Sequence, residues 1–441
     1  MPIFARRRLR AMLDDLSAHI DSAKAKDLLS RLEHRDTDLA LAAEAELSML
    51  WAISRVAQLT VEPDLSGSPR RPDAFSDDLF KSAGAVIEVR ALSDHSFSGK
   101  QAMDRTANII ANFADQRRKG AGQHLRFEFM ERSYWTKRFH RERCVDPDFE
   151  LTPCIKRHLR EWITPTNWPK PNHIRITEGK TNVVVSWVER TSLHFRVFCT
   201  MPSVAYDLED NPIYKALKKK ARQVKGAKTG TLRCVFLVDA GCHLLRWLGT
   251  SSAPCEIGGE AIISHALQKL SIDAICVFSP HRGSPLSHPS LSHLLWKVSC
   301  FDRRAGVPNG EHDQLKALAA RLPRPRFEGY QARDIHRQDG FNPKRRGWYL
   351  GTNITTRQAG KMTIKISSRL IQEYLAGRMD ATAFQNHAFN NDRNLFEAEL
   401  KRGRTIQGVC LESGGLDEDD DHIVFDLDFD WSATPLDSPK K

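Results

Sequence analysis

The chain has 441 residues, a formal net charge of +11 and 41% hydrophobic residues. This length exceeds that of one typical compact unit and indicates two or three domains. No apolar run is long enough to cross a membrane and no signal-peptide core is visible, so we expect a cytoplasmic protein with no membrane partner. The nine cysteines never form a Cys-x-x-Cys pair, which argues against a disulfide scaffold and a zinc site. The positive charge favours a polyanionic partner.

The first third of the chain alternates between two patterns. Apolar residues at helical spacing predict helices, and period-two alternation predicts half-buried strands. The predicted helices are 7–33, 38–58 and 99–119, and the predicted strands are 72–76, 84–92 and 124–133.

The middle of the chain predicts an insertion followed by an α/β core. Residues 140–175 are rich in Pro, Trp, Arg and His, and three period-two segments then predict an antiparallel meander ending near residue 200. Asn211-Pro212 predicts a capped helix over 211–225. The continuous apolar runs 231–241 and 273–281 flank a helical pattern, and this alternation favours parallel strand pairing.

The composition becomes rich in Ser, Pro and His and then basic near 281–325, which indicates a boundary. We therefore predict an N-terminal helical segment over 1–37, a core over 38–300 with an insertion near 140–200, and a small α+β C-terminal domain over 301–441. Strands near 406–412 and 422–429 belong to this last domain, and we expect its acidic run LDEDDDH to be a solvated loop.

The strand AVIEVRAL carries two charges within an apolar run. Alternation places Val86, Glu88 and Arg90 on one face. An ionised Glu in such a strand is costly unless a cation compensates it. A divalent metal is one candidate for this cation. The alternative is that Glu88 and Arg90 form an ion pair on a solvent-facing surface, and this strand taken alone favours the ion pair.

Two further carboxylates shift the interpretation from an ion pair towards a metal site. Asp73 lies on a short strand that can pair with the Glu88 strand as a hairpin. Glu46 falls within the apolar arc of its helix, whereas Glu44 is expected on the polar side. Asp64, in Glu62-Pro63-Asp64, competes with Asp73, but the closer spacing of Asp73 suits a hairpin better. Three inward carboxylates predict a site for Mg²⁺ or Mn²⁺, with Glu46, Asp73 and Glu88 as ligands.

Glu46 on a helix, Arg71-Pro72-Asp73 on one strand and Glu88-Val89-Arg90 on the next resemble the PD-(D/E)XK nuclease superfamily. The resemblance covers roughly residues 38–115 and resumes over 211–239. It implies a restriction-endonuclease-like mixed sheet flanked by helices and metal-dependent hydrolysis of a phosphodiester bond, with DNA favoured over RNA. Asp73 and Glu88 would be the principal metal ligands. It also suggests bacterial restriction or anti-phage defence, as a homo-oligomer or with a partner protein.

The chain departs from this family at Arg90, which stands where the family has Lys. An Arg supplies charge but cannot act as a base. On the helix 211–225, Lys220 borders the apolar stripe and Gln223 flanks it, so we expect these two residues to complete the site. Lys100 is a weaker substitute, and a basic helix that simply lies on DNA or in solvent is the alternative. Arg90 also favours a rival function, a nucleic-acid-binding or structural subunit built on a decayed nuclease core.

Basic clusters outside this site are candidates for binding phosphates without reading sequence. The residues that we expect to bind nucleic acid are Arg117, Arg118, Lys119, Lys218 and Lys219. Aromatic and basic residues also interleave from Tyr134 to His140. They are able to stack unpaired bases, although packing of the insertion is the role that we favour from the sequence.

Overall fold

The structure is a computed structural model. It describes residues 3–34, 37–64, 71–81, 83–94, 97, 99–136, 139–163, 172–188, 197–199, 203–249, 256–282, 294–303, 309–325, 353–356, 362–389, 394–418, 420–430 and 432. The chain divides into two compact units. One unit spans residues 11–326, and the other combines residues 1–10 with residues 327–441.

The larger unit alternates helices and strands along the chain. Its helices, with the first shared by both units, are α1 (Arg6–Asp15), α2 (Ser22–Leu32), α3 (Thr37–Ser54), α4 (Lys100–Arg117), α5 (Pro153–Ile163), α6 (Pro212–Val224), α7 (His243–Arg246), α8 (Gly259–Lys269) and α9 (Asn309–Arg321). Its strands are β1 (Thr60–Val61), β2 (Ala74–Ser76), β3 (Ala85–Leu92), β4 (Leu125–Phe129), β5 (Glu131–Trp135), β6 (Phe139–Arg143), β7 (His173–Glu178), β8 (Thr181–Trp187), β9 (Val197–Cys199), β10 (Leu232–Asp239), β11 (Ala274–Arg282) and β12 (Leu294–Asp302).

A six-stranded mixed sheet forms the centre of this unit, in the order β1-β2-β3-β10-β11-β12. The strands β1, β2 and β3 pair antiparallel, β3, β10 and β11 pair parallel, and β12 closes the sheet antiparallel. The parallel strands are the continuous apolar runs, as expected for strands that are covered on both faces. This sheet confirms the predicted mixed sheet flanked by helices.

The two faces of the sheet carry different helices. On one face, α6 and α8 form a core with residues of β10 and β11, among them Val235 and Val277. Val235 pairs with Glu88 in register, so this face also carries Glu88 and Arg90. The helices α3 and α9 contact each other and pack on β3 and β12. None of their described residues belongs to that core, which places them on the opposite face.

The insertion is a second small layer with its own sheet, in the order β7-β8-β4-β9. Its core combines α4 and α5 with inward residues of this sheet. The insertion therefore begins before the predicted residue 140, because β4 pairs with β8. The predicted meander is wrong at its third strand, since β9 pairs parallel with β4.

The smaller unit holds an antiparallel sheet in the order β13-β14-β16-β15. Its elements are β13 (Asn353–Thr356), β14 (Met362–Ser367), α10 (Ser368–Leu375), α11 (Ala381–Phe389), α12 (Leu395–Leu400), β15 (Arg404–Glu412) and β16 (His422–Phe429). The unit begins later than the predicted boundary after residue 300, and it includes residues 1–10, which we had assigned to a separate N-terminal segment.

The acidic run of this unit makes specific contacts, whereas we expected a solvated loop. Asp421 accepts a hydrogen bond from Arg7 at 2.9 Å, and Asp417 accepts one from Arg8 at 2.8 Å. Asp420 accepts hydrogen bonds at the start of α10, from the backbone N–H of Arg369 at 3.0 Å and the Ser368 hydroxyl at 3.1 Å. These contacts explain why the first ten residues group with the C-terminal part of the chain.

Among the described helices, including the 18-residue α3 and α4, none is apolar enough over its length to span a bilayer.

Candidate active site

Asp73 and Glu88 lie side by side on the hairpin of β2 and β3. The register pairs Ala74 with Ile87, and continuing it by one residue brings Asp73 opposite Glu88. Asp73 Oδ2 accepts a hydrogen bond from the backbone N–H of Val89 at 2.7 Å, which fixes this carboxylate against β3. Glu88 is 0% exposed. The alternative of a solvent-facing pair between Glu88 and Arg90 is therefore wrong.

The helix α6 brings Lys220 to these two carboxylates. Asn211 caps the helix by accepting from the N–H of Tyr214 at 2.8 Å, and the apolar stripe that includes Leu217 faces the sheet. Lys220 borders that stripe, as predicted from its position on the helix. Its Nζ lies 3.2 Å from Asp73 Oδ2 and also contacts Glu88 Oε2. Residues that are 147 positions apart in the chain thus share one ion-pair cluster.

Burial and charge together set the protonation of this cluster. Burial and then the charge of Asp73 raise the pKa of Glu88 to about 9, against the opposing effect of Lys220. Burial lowers the pKa of Lys220, but the charges of Asp73 and Glu88 outweigh it, and the pKa of Lys220 is raised. At neutral pH we therefore assign a protonated Glu88 beside a cationic Lys220. Glu88 Oε1 is buried with no hydrogen-bond partner in the described part of the chain.

This raised pKa predicts that the metal-free protein loses stability as pH rises. Glu88 ionises near 4.5 when unfolded and at about 9 when folded, so the native state retains a proton that the unfolded chain has lost. The contribution is fully present below pH 4.5 and declines toward pH 9, by up to about 1.4 kcal/mol per pH unit. We expect urea denaturation with a chelator to show this decline, and Glu88→Gln to flatten it. Equal slopes for both proteins would contradict the assignment.

A cavity of about 330 Å³ opens between β3 and α6. Lys220, which contacts both carboxylates, lines it, whereas Asp73 and Glu88 do not. Its lining residues are Arg90, Leu92, Pro212, Lys215, Ala216, Lys219, Lys220 and Gln223. Four of these side chains are cationic and none is acidic, which suits an anionic ligand. The side-chain oxygen of Gln223 is buried and has no hydrogen-bond partner among the described residues, so it is available to accept a hydrogen bond from a ligand or a water.

Glu46 does not join this cluster, and the prediction that three carboxylates converge is wrong. Its two oxygens accept from Lys24 Nζ at 2.5 Å and from Arg31 at 2.7 Å, both on α2. Burial raises the pKa of Glu46, but Arg31 and Lys24 outweigh burial and lower it. The physical reason is the position of α3, which packs on the face of β3 away from Glu88. Among the described residues, no group of three or more Asp, Glu, His or Cys is placed to hold a metal.

Glu44 also differs from its expected position. We placed it on a polar side of its helix, but it is 0% exposed. The helix α3 is covered by α2 as well as by the sheet and α9, so little of it faces solvent.

Glu46 is therefore expected to matter for stability. Replacing it with Ala leaves Lys24, which is 7% exposed, with Glu62 as its one remaining ion-pair partner among the described residues. Breaking a buried pair typically costs about 3 to 5 kcal/mol, and we expect urea denaturation to show a loss of about 3 kcal/mol. Asp27→Ala is the matched control, because it removes the exposed partner of Arg31 and should change stability by less than about 0.5 kcal/mol. A Glu46→Ala protein as stable as the parent would contradict this role.

The competing candidates lie elsewhere. Asp64 is exposed, and its neighbour Glu62 binds Lys24 at 2.5 Å. Lys100 forms an ion pair along α4 with Asp104 at 3.5 Å. In the part of the chain that the structure describes, neither Asp64 nor Lys100 pairs with Asp73, Glu88 or Lys220.

The predicted nucleic-acid-binding residues form two separate exposed groups. Arg117, Arg118 and Lys119 lie at the end of α4, where Arg117 stacks over Phe113 at 5.4 Å. Lys218 and Lys219 are exposed on α6, and of these two Lys219 lines the cavity.

The chain matches no protein-family model, no curated protein and no solved structure. The contacts of Asp73, Glu88 and Lys220 themselves are therefore the basis for inferring a function.

One residue that lines the cavity, Lys215, was not predicted from the sequence as a site residue. Lys215 lies one helical turn before Lys219, and both line the cavity. Their i, i+4 spacing on α6 was the available signal, and it indicates that one side of this helix presents a row of cations.

Proposed function

We propose that the chain is a metal-dependent nuclease of PD-(D/E)XK type that hydrolyses phosphodiester bonds in nucleic acid, with DNA favoured. The observation that carries the proposal is the meeting of Asp73, Glu88 and Lys220 beside a cavity lined by cations. A buried cluster of two acids and a lysine is an expensive arrangement for structure alone, and a carboxyl group whose pKa is strongly raised, as that of Glu88 is, is typical of functional sites. The order β2-β3-β10-β11 in a mixed sheet supports a restriction-endonuclease-like core.

The donor set fits Mg²⁺ or Mn²⁺. Mg²⁺ is commonly held by one or two carboxylates, with waters and substrate phosphates as its other ligands. Asp73 and Glu88 supply such a pair, and the buried Glu88 Oε1 still lacks a partner among the described residues. When bound, such an ion lowers the pKa of a water and offsets charge on the phosphate. Glu46 has no part in this set.

The cations of the cavity would bind and orient the phosphate. Because its pKa is raised, Lys220 is suited to donating hydrogen bonds to a phosphate oxygen rather than to taking a proton. Arg90 and Lys219 would hold the neighbouring phosphate oxygens. The unpartnered oxygen of Gln223 would accept a hydrogen bond from the attacking water. In the reaction, the water oxygen bonds to phosphorus, the ester P–O bond breaks, and the leaving oxygen is protonated.

A cleavage assay tests the proposal. We expect the purified protein to degrade plasmid, linear duplex or single-stranded oligonucleotides with Mg²⁺ or Mn²⁺, and to stop when a chelator is added. Failure to cut any of these substrates with either metal would overturn it. Binding without cleavage would support the second candidate, an inactive nucleic-acid-binding or structural subunit, which Arg90 at the family's Lys position favours. A role in bacterial restriction or anti-phage defence belongs to the same proposal.

A further inference from the structure

A second cavity, of about 520 Å³, adjoins the cationic one. The two cavities share Pro212 and Lys215 at the start of α6. The second cavity extends to the hairpin of β5 and β6 and to the turn between β7 and β8, where Lys180 lies. A ligand strand bound in the cationic cavity next to Lys220 can therefore continue into the second cavity.

The hairpin carries aromatic side chains on both of its faces. On one face, Arg132 lies over the ring of Tyr134 at 5.3 Å, and Tyr134 stacks on His140 with ring centroids 5.1 Å apart. On the other face, the rings of Trp135 and Phe139 have centroids 5.3 Å apart. Tyr134 is 37% exposed and Trp135 is 70% exposed. The packing role that we favoured from the sequence does not explain such exposure, because packing would bury these rings.

The charges around this cavity favour an anionic ligand. Its lining includes five Arg or Lys side chains and three Asp or Glu side chains, a surplus of two cations. Arg132 and Lys215 pair with Glu142 and Asp210 of the lining, and Arg141 pairs with Glu131. One of the cations, Arg143, is buried, and burial lowers its pKa.

We propose that the second cavity binds unpaired nucleotides of the strand whose phosphodiester lies at Asp73 and Glu88. This inference rests on the proposed nuclease function. Flat aromatic and guanidinium groups beside cations bind single strands by base stacking and phosphate contacts. A duplex keeps its base faces inside the helix, so it offers these rings no stacking partner. The substrate is thus a single strand, or an unpaired segment of a longer nucleic acid.

Binding to labelled oligonucleotides tests this proposal. We use Glu88→Gln protein, in which cleavage is blocked, with oligo-dT, oligo-rU and a DNA duplex of the same length, and measure fluorescence anisotropy at low salt. Single strands should bind more tightly than the duplex. Tyr134→Ala should weaken single-strand binding by about 10-fold and leave duplex binding unchanged, because Tyr134 lines the second cavity. The dT and rU arms compare a DNA strand with an RNA strand, which differ in the 2′-hydroxyl and in the C5 methyl of the base.

Two further variants guard against indirect effects. Trp247→Ala removes an exposed aromatic that lines neither cavity, and it should bind as the parent does. Lys180→Glu, in an exposed turn at the second cavity, should weaken single-strand binding without affecting the fold.

The outcomes separate this proposal from the nuclease proposal. Equal binding of duplex and single strands, or unchanged binding by the Tyr134 and Lys180 variants, would overturn the cavity proposal even if the parent protein cleaves DNA. If the parent cleaves nothing while these variants lose single-strand binding, the nuclease proposal fails and the binding site stands.

Discussion

Glu88→Gln should reduce metal-dependent cleavage by about 1000-fold or more. Gln keeps the size of the side chain and one oxygen acceptor, but it lacks the negative charge that holds a divalent cation. Losing several kcal/mol of charge stabilisation in the transition state corresponds to a change in rate of this order. Single-turnover cleavage of a labelled oligonucleotide measures the effect, and Mn²⁺ titration by calorimetry should show weakened binding. Asp73→Asn should behave in the same way.

The effect of Glu88→Gln is separable from a loss of folding. Burial already disfavours the ionised carboxylate and raises its pKa to about 9, so a neutral amide should leave the fold at least as stable at neutral pH. Asp77→Asn is the matched control, since Asp77 is an exposed acid directly after β2 on the same hairpin. We expect it to cleave within about twofold of the parent, a difference below about 0.5 kcal/mol. Near-parent cleavage by Glu88→Gln would remove Glu88 from the site.

The sequence predicted the site best where the site depends on residues that are close together in the chain. Alternation within AVIEVRAL placed Glu88 and Arg90 on one face, and the short spacing from Asp73 predicted the hairpin that pairs β2 with β3. The position of Lys220 at the border of an apolar stripe was also readable, because α6 is buried on one side only.

Glu46 and the domain boundaries required tertiary information. A helical arc shows that a side chain points inward, but it does not show which face of the sheet the helix covers. Glu46 points inward and forms ion pairs with Lys24 and Arg31 of α2. The spacing of residues along the chain does not predict these two partners. The grouping of residues 1–10 with residues 327–441 depends on contacts between the two ends of the chain, such as that of Arg7 with Asp421.

Lys220→Met should lower cleavage by about 100-fold while leaving metal binding intact or tighter. Lys220 contacts both Asp73 and Glu88, so in the metal-free protein its ammonium competes with a divalent cation for the same oxygens. Removing it frees both carboxylates but also removes a donor to the phosphate, whose loss typically costs about 10² to 10³ in rate. This opposite effect on metal affinity and rate distinguishes Lys220 from Glu88, whose variant should lose both.

Variants of the cations on α6 show whether the cleavage rate depends on the position of Lys220 or only on the presence of a positive charge. Arg222→Met removes an exposed cation of α6 that lines neither cavity, and it should cleave like the parent at moderate salt, where exposed charges are screened. Lys220→Arg retains a cation and should recover part of the rate, because a guanidinium still donates to phosphate. If Lys220→Met cleaves at the parent rate, Arg90 is the cation that serves the reaction, and the contact of Lys220 with the two carboxylates only balances their charge until a metal replaces it.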